Sequence, residues 1–481
     1  MLDFVIFAIT AVAGLIGILL FFYFSRSTET KPVSSASPTS TIPRWSAPPA
    51  DIEKGDLDVM MKKHGSLHQF LLHLHDNGKT PVTSFWWGKT HVVSFCSPQA
   101  FKESAVFVNR PVELFVGFEP LITPFSIQYA NDEDWVQRSK CLYHTLKGDD
   151  LKSYFHHFVQ IAQEEESLWS SYTSDKEVSL TKEVFPMTIK GIARTCFGDI
   201  FKDENELSKM AESYHVCWRT MEEGVPEAGS KRETEFLKHR RVLEDIIRRI
   251  IQERKEGEDL QELPFIDSML QNYDSEDKII ADAISFMVGG FHTSGYMFTW
   301  MLWYLSSHPE SQDRLRTEIE RETGGERGDR LKEYSLRADT FLRQVQDETI
   351  RLSTLAPWAA RYSDKKVTVC GYTIPAKTPM IHALGVGLKN KTVWENTDSW
   401  DPDRFSPNGR RGNDFCPFGV HSRRKCPGYL FSYFEVGVFA SILLSRFEIV
   451  PVEGQTVIQV HGLVTEPKDD IKIYIRSRKE D

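Results

Sequence analysis

Residues 283–307, AISFMVGGFHTSGYMFTWMLWYLSS, are apolar on nearly every side of a helix. Such a helix must be covered all round, by lipid or by protein. Gly289, Gly290, His292, Thr293 and Ser294 interrupt it at mid-length, and polar groups at that depth in a bilayer need partners. The segment is therefore read as the buried central helix of a large globular domain, opened beside a site. A Gly pair lets another group approach the backbone there, and a hydroxyl can bond at the distorted turn.

The chain around it has the size for that. It has 481 residues, no internal repeat and no low-complexity stretch in its interior, which favours one domain of catalytic size over a tandem array. A net charge of −10 excludes a general nucleic-acid binder, which needs an excess of Lys and Arg. The seven cysteines are an odd number with no CxxC pair; they read as a reduced compartment and weaken both a disulfide framework and a zinc site.

The first residues differ in kind. FVIFAITAVAGLIGILLFFYF, Phe4 to Phe24, is uncharged and long enough, at about 1.5 Å per residue, to cross a hydrocarbon core of about 30 Å. It lacks the basic leader and small-residue cleavage pattern of a signal peptide, so it is read as a retained anchor. Arg26, Lys31 and Arg44 follow it and only Asp3 precedes it as a charge, which puts the body in the cytosol. The Ser, Thr and Pro-rich run from Ser25 to Pro49 suits a tether. The expected organisation is an anchor at 1–24, a linker at 25–49 and a catalytic domain at 50–481. The sequon Asn390-Lys-Thr392 is expected to report a luminal body by carrying a glycan, if the site is accessible.

Within the domain, GSLHQFLLHLHDNG reads as a short amphipathic helix and PVTSFWWGKTHVVSF as two strands about a turn at Gly88. The GKT there is no phosphate loop, because Thr83 stands where a Walker motif needs glycine. From Asn131 to Thr354 most of the chain has helical periodicity, including the charged run SKRETEFLKHRRVLEDIIRRIIQERKEG, a solvated helix face. KKVTVCGYTIPA is of β type; LFSYFEVGVFASILLSRF is a helix, followed by two final strands. The fold class is mainly α with a small β portion.

Four motifs carry the chemistry. Glu348-Thr-Ile-Arg351 puts a carboxylate and a guanidinium on one helical face. Pro357, Arg361 and WDPDRF follow, with Arg404 able to join Glu348 and Arg351 as a buried charge triad, which is tolerated only with mutual satisfaction. The Gly289 to Ser294 cluster is the third. The fourth is FCPFGVHSRRKCPGY, Phe415 to Tyr429, whose basic residues make a thiolate at Cys426 easier to keep ionised.

In their order these motifs resemble the cytochrome P450 superfamily: Gly-Gly-x-x-Thr in a central helix, then ExxR, then PxRF, then a Phe-Gly loop with Arg two before Cys-Pro-Gly. More narrowly, MLDFVIFAIT, SLHQFLLHLH, SFWWG, HALGV, WDPDRF and VEGQTV look like the orphan family 20, subfamily A branch. The resemblance implies the cytochrome P450 fold with haem b (iron protoporphyrin IX) between the central helix and the Cys loop. Cys426 is then the axial thiolate, a ligand that pushes electron density onto iron and favours O–O cleavage. It also implies Arg424 and Arg361 on haem propionates, Glu348, Arg351 and Arg404 holding the core around the loop, and Thr293 at the oxygen site. Cys416 has no place in the pattern and is read as a buried structural cysteine.

The implied activity is a monooxygenase of the endoplasmic reticulum membrane, single-pass, with its catalytic domain on the cytoplasmic side. It would insert oxygen from O2 into a lipophilic small molecule, using electrons from NADPH-cytochrome P450 reductase or a similar donor. No Rossmann glycine fingerprint is present, so the nicotinamide chemistry belongs to a partner. Arg423, Lys425 and Lys140 would form a local basic patch for an acidic donor. The segments Pro111 to Ile127 and Tyr214 to Pro226 are expected to line the pocket. Two other readings are a haem-binding sensor or carrier with little turnover, and a reductase-independent haem-thiolate isomerase.

Three departures from the family pattern stand out, and those in the Cys loop and at His292 motivate the sensor or carrier reading. Phe418 to Cys426 is one residue longer than the usual loop and lacks its second glycine, which puts the donors to the sulfur in question. Ser139 stands four residues after Trp135, where the family has an arginine, so Arg138 or Lys140 is expected to meet a propionate instead. His292 replaces the acid before Thr293; with an ordinary value of about 6.5 it would relay protons while changing charge over the physiological range.

Overall fold

The computed structural model describes residues 42–44, 54–198, 204–257, 264–407, 409, 414–420 and 423–478. The expected anchor at Phe4–Phe24 and most of the linker lie outside these residues. Among the described residues no helix is long and apolar enough to cross a membrane.

Two short helices, α1 (Leu57–His64) and α2 (Leu67–Leu74), precede the hairpin of β1 (Val82–Trp87) and β2 (Thr90–Phe95). Trp87 pairs with Thr90 across a two-residue turn in which Gly88 takes φ +56°, a value that costs glycine nothing. After α3 (Pro98–Ser104) and α4 (Glu119–Ile122) come α5 (Asp132–Thr145), α6 (Gly148–Ser153), α7 (Phe155–Ser170) and α8 (Leu180–Phe197). Then follow α9 (Glu204–Glu222), α10 (Lys231–Glu256), α11 (Phe265–Asn272), α12 (Glu276–Ser306), α13 (Pro309–Thr323), α14 (Asp329–Leu336), α15 (Phe341–Ser353) and the short α16 (Leu384–Leu388).

The charged run forms α10 for two local reasons. The Ser230 hydroxyl caps it by accepting from Glu233 N–H, and Phe236, Leu243, Ile247 and Ile250 recur on one buried stripe. The apolar segment at 283–307 lies inside α12, which is buried from Ile279 to Ser306 on most of its circumference. Protein covers it: α12 packs most extensively against α8 and also meets α15 and α17 (Tyr429–Arg446).

The strands form small sheets at the edges of this helical body. β1 and β2 join β7 (Met380–His382) and β4 (Ala359–Arg361) in the order β1-β2-β7-β4. β5 (Val367–Val369) and β6 (Tyr372–Ile374) form a hairpin. The chain end holds four strands where two were expected. They are β8 (Phe447–Pro451), β9 (Gln459–His461), β10 (Thr465–Pro467) and β11 (Lys472–Ser477). β11 lies between β8 and β3 (Glu177–Ser179), and β3 was also missed. Three-residue strands are shorter than alternation can register.

The sequon does not serve as a topology reporter. Asn390 is 2 % exposed; its Nδ2 donates to Gly78 O, and its Oδ1 accepts from Thr392 N and Oγ1. The folded protein has no accessible acceptor there.

Candidate functional site

The Cys loop runs directly into α17, so Cys426 stands three residues ahead of the helix N-terminus, where a negative charge is favoured. Cys426 N–H donates to Phe418 O at 2.9 Å and closes the loop. Its side chain is exposed, yet protein atoms crowd behind it, and that desolvation raises the thiol above its ordinary value. The Gly428 N–H and the Lys425 charge oppose the rise. Lys425 thus favours the thiolate, as expected of the loop's basic residues, while burial outweighs it. Cys416 is 4 % exposed, in a cluster with Phe95 and Val420.

Three guanidinium groups meet at the loop, its own Arg424 and, from distant parts of the chain, Arg361 and Arg110. Arg424 Nη1 and Nη2 donate to the carbonyls of Val108, Ile127 and Ala130 and to Asn131 Oδ1, all within 3.0 Å. Arg361, on β4, donates to Ala360 O and to Arg424 O. Arg110 donates to Gln128 through both its backbone and side-chain oxygens. Burial, then the charges of Arg110 and Arg361, hold Arg424 down to about 7. Burial and then Arg110 hold Arg361 down to about 9, and burial holds Arg110 down to about 10. The Nε atoms of Arg361 and Arg110 are buried without a hydrogen-bond partner, and among the described residues neither arginine has an ion-pair partner within 4.0 Å. Arg110 was not singled out by its sequence context, since nothing in its spacing ties it to Cys426.

The two residues expected around Ser139 go elsewhere. Arg138 pairs with the fully buried Asp282 at 2.6 Å and with Asp134 at 3.1 Å, so its charge is already matched. Lys140 is exposed on α5.

Glu348, Arg351 and Arg404 come together in the interior. Arg351 Nε and Nη2 donate to the two Glu348 oxygens at 2.6 and 2.8 Å, and Arg404 Nε donates to Glu348 Oε1 at 3.2 Å. The remaining guanidinium N–H groups take the carbonyls of Leu388, Glu395, Asn396, Thr397 and Ser399. Two side chains thereby fix the irregular stretch before WDPDRF, and Asp401 N–H also donates to Glu348.

On α12 the two glycines do different things. A Cβ on Gly290 would sit 2.5 Å from Ile192 Cδ1, so this glycine lets α8 approach; a Cβ on Gly289 would meet nothing within 4 Å. Gly289 is exposed, and Phe286 and Thr293, on the same side of the helix, are half-buried, so this stripe is open. Thr293 Oγ1 donates to Gly289 O within that stripe.

His292 turns to another face. Its Nδ1 lies 2.8 Å from Tyr214 Oη, and its ring stacks on Trp218 with centroids 4.4 Å apart. It is 3 % exposed, and burial, then His215, lowers it to about 3. The ring is neutral throughout the physiological range, so the expected change of charge does not occur; desolvation outweighs everything that would hold a proton. His292 also lines a cavity of about 1010 Å3 between α8, α9, α12 and β10, with Phe185, Trp218, Glu222, Tyr296 and Glu466. Part of the expected Tyr214 to Pro226 segment lines it; Pro111 to Ile127 does not.

This fold and this arrangement match a known class. The cytochrome P450 family model matches residues 58–473, and the chain belongs to that family, whose enzymes are haem-dependent monooxygenases using haem b. Among curated relatives, cytochrome P450 20A1 of Bos taurus is 28% identical over 99% of this chain and 100% of its own length, and that of Rattus norvegicus is 29% identical with the same coverage. The human cytochrome P450 20A1 is 27% identical over 99% of this chain. A solved cytochrome P450DA heme domain superposes with a TM-score of 0.77, covering 91% of this chain and 98% of its own, at 18% identity; it shows the fold. Members of the family work with a redox partner and generally take lipophilic substrates.

Proposed function

We propose that this chain is a membrane-anchored haem-thiolate monooxygenase, inserting one atom of O2 into a lipophilic small molecule with electrons from NADPH-cytochrome P450 reductase or a similar donor. The observation that carries the reading is the pair Arg110 and Arg361 beside the Cys loop, the first half-buried and the second buried, whose buried Nε donors have no hydrogen-bond partner among the described residues. Buried charge is costly unless paired, and two propionates supply the missing anions. Arg424, two residues before Cys426, completes the cradle, with Arg110 in place of Arg138 and Lys140.

Cys426 would hold the haem iron through its thiolate. The bound group supplies an electron-rich, thiolate-ligated iron for O2 activation. The protein secures the sulfur's charge: burial opposes the thiolate, while the Gly428 N–H and Lys425 favour it, and metal ligation deprotonates a thiol outright. Gly289 leaves the helix face open without a side chain, and Thr293 offers its hydroxyl on the same stripe. His292, neutral and bonded to Tyr214, braces α12 against α9 and carries no proton charge. Glu348, Arg351 and Arg404 hold the backbone of 395–401 in place. Arg423 and Lys140 are exposed and form, with Lys425, the basic surface offered to an acidic donor. The Phe4–Phe24 segment supports anchoring in the endoplasmic reticulum membrane with the body on the cytoplasmic side.

The test is the carbon monoxide spectrum of the reduced protein. Cys426→Ala is expected to abolish the thiolate-type band and Cys416→Ala to leave it; the reverse outcome refutes the ligand assignment. NADPH consumption with purified reductase and a spin-shifting ligand then separates a monooxygenase from a haem carrier or a reductase-independent isomerase.

A further inference from the structure

The Cys loop is a residue longer than usual and lacks its second glycine, so something outside it must set the backbone path into Cys426. Side chains do this. The carbonyls of Arg423, Arg424 and Lys425, three consecutive residues, are each taken by a side-chain donor. Tyr143 Oη, in the last turn of α5, lies 2.5 Å from Arg423 O and 2.8 Å from Lys425 O. Arg361 Nη2 lies 2.9 Å from Arg424 O. A phenol has one proton, so the two carbonyls flanking Arg424 converge on a single donor. From the other side, Lys147 Nζ sits 4.5 Å from the centre of the Tyr143 ring. The loop's own contribution is the Cys426 N–H to Phe418 O bond.

We propose that Tyr143 is a positioning residue for Cys426: by holding the carbonyls of Arg423 and Lys425 from α5, it restrains the loop backbone and fixes the direction in which the sulfur is presented. This rests on Cys426 being the iron ligand. The hydroxyl acts through the loop backbone and touches neither sulfur nor substrate.

The experiment uses the full chain with haem bound and compares wild type, Tyr143→Phe and Lys147→Met. The Phe variant keeps the ring and removes only the donor. Its thiolate-type carbon monoxide complex is expected to convert to the thiol type about threefold to tenfold faster than wild type, the range set by loss of one hydrogen bond. Its iron–sulfur stretching band in resonance Raman is expected to move, at unchanged haem content. Lys147→Met, which touches the ring but no loop carbonyl, is expected to leave both readouts as in wild type. A Tyr143→Phe protein with wild-type conversion rate and wild-type iron–sulfur band overturns the inference, even if its melting temperature falls, because a merely structural tyrosine would do only that. A wild type without the thiolate-type spectrum overturns the ligand reading and this inference together.

Discussion

Two buried guanidinium groups, Arg351 and Arg361, are both almost inaccessible to solvent, and they differ in what surrounds them. Arg351 has a bidentate carboxylate, Glu348, and carbonyls for its other donors. Arg361 has two carbonyls, an orphaned Nε, and Arg110 as a charged neighbour. The first region is complete within the chain. In the second, no described residue supplies an anion, and that contrast is what the proposed reading of a structural charge cluster and a binding one rests on.

The comparison can be broken by removing one group from each side. The largest effect is expected in the complete region: Glu348→Gln strands Arg351 without a counter-ion and should cost about 3–5 kcal/mol of stability, with or without haem, read from denaturant midpoints. In the second region, Arg361→Met should leave the haem-free protein within about 1 kcal/mol of wild type, since it removes an uncompensated cation. Haem retention should fall about tenfold or more, each tenfold being about 1.4 kcal/mol, read as the rate of haem transfer to a scavenger protein. Equal losses in both states would erase the distinction.

His292 sharpens the account through pH. Its folded value of about 3 lies below the ordinary value of about 6.5, so between these the unfolded chain binds the extra proton. Stability is thus lost as pH falls through that window, and His292→Phe should flatten this part of the acid-unfolding curve. Between pH 6 and 8 the ring does not titrate, so peroxide released per NADPH should not vary with His292 charge there. A step near pH 6.5 that disappears in His292→Asp would restore the relay role. The smallest effect is expected of Lys140→Ala: haem retention within about twofold of wild type, and a shallower dependence of reductase association on salt.

Much of this was legible in the sequence where period or motif spacing was long. The all-round apolar α12, the α10 stripe and the β1–β2 hairpin follow from residue periodicity, and Glu348, Arg351 and Arg404 meet because ExxR and WDPDRF each carry a guanidinium. Arg110 was not legible, because Arg361 and Arg424, whose charges it meets, lie far along the chain and no local pattern ties it to them. Nor was the partner of Arg138, since Asp282, far along the chain, pairs with it. His292 could be placed on α12 but not in its environment, since the Trp218 stack and the Tyr214 bond that keep it neutral belong to α9.

The central claim, that Arg361 and Arg110 are completed by haem propionates, is tested most directly by reconstituting the haem-free chain with haem and with its dimethyl ester, which lacks both negative charges. Wild type is expected to favour haem over the ester by about a hundredfold, about 2.7 kcal/mol, and Arg361→Met to lose about tenfold of that preference. A wild type that binds the two equally would contradict the account.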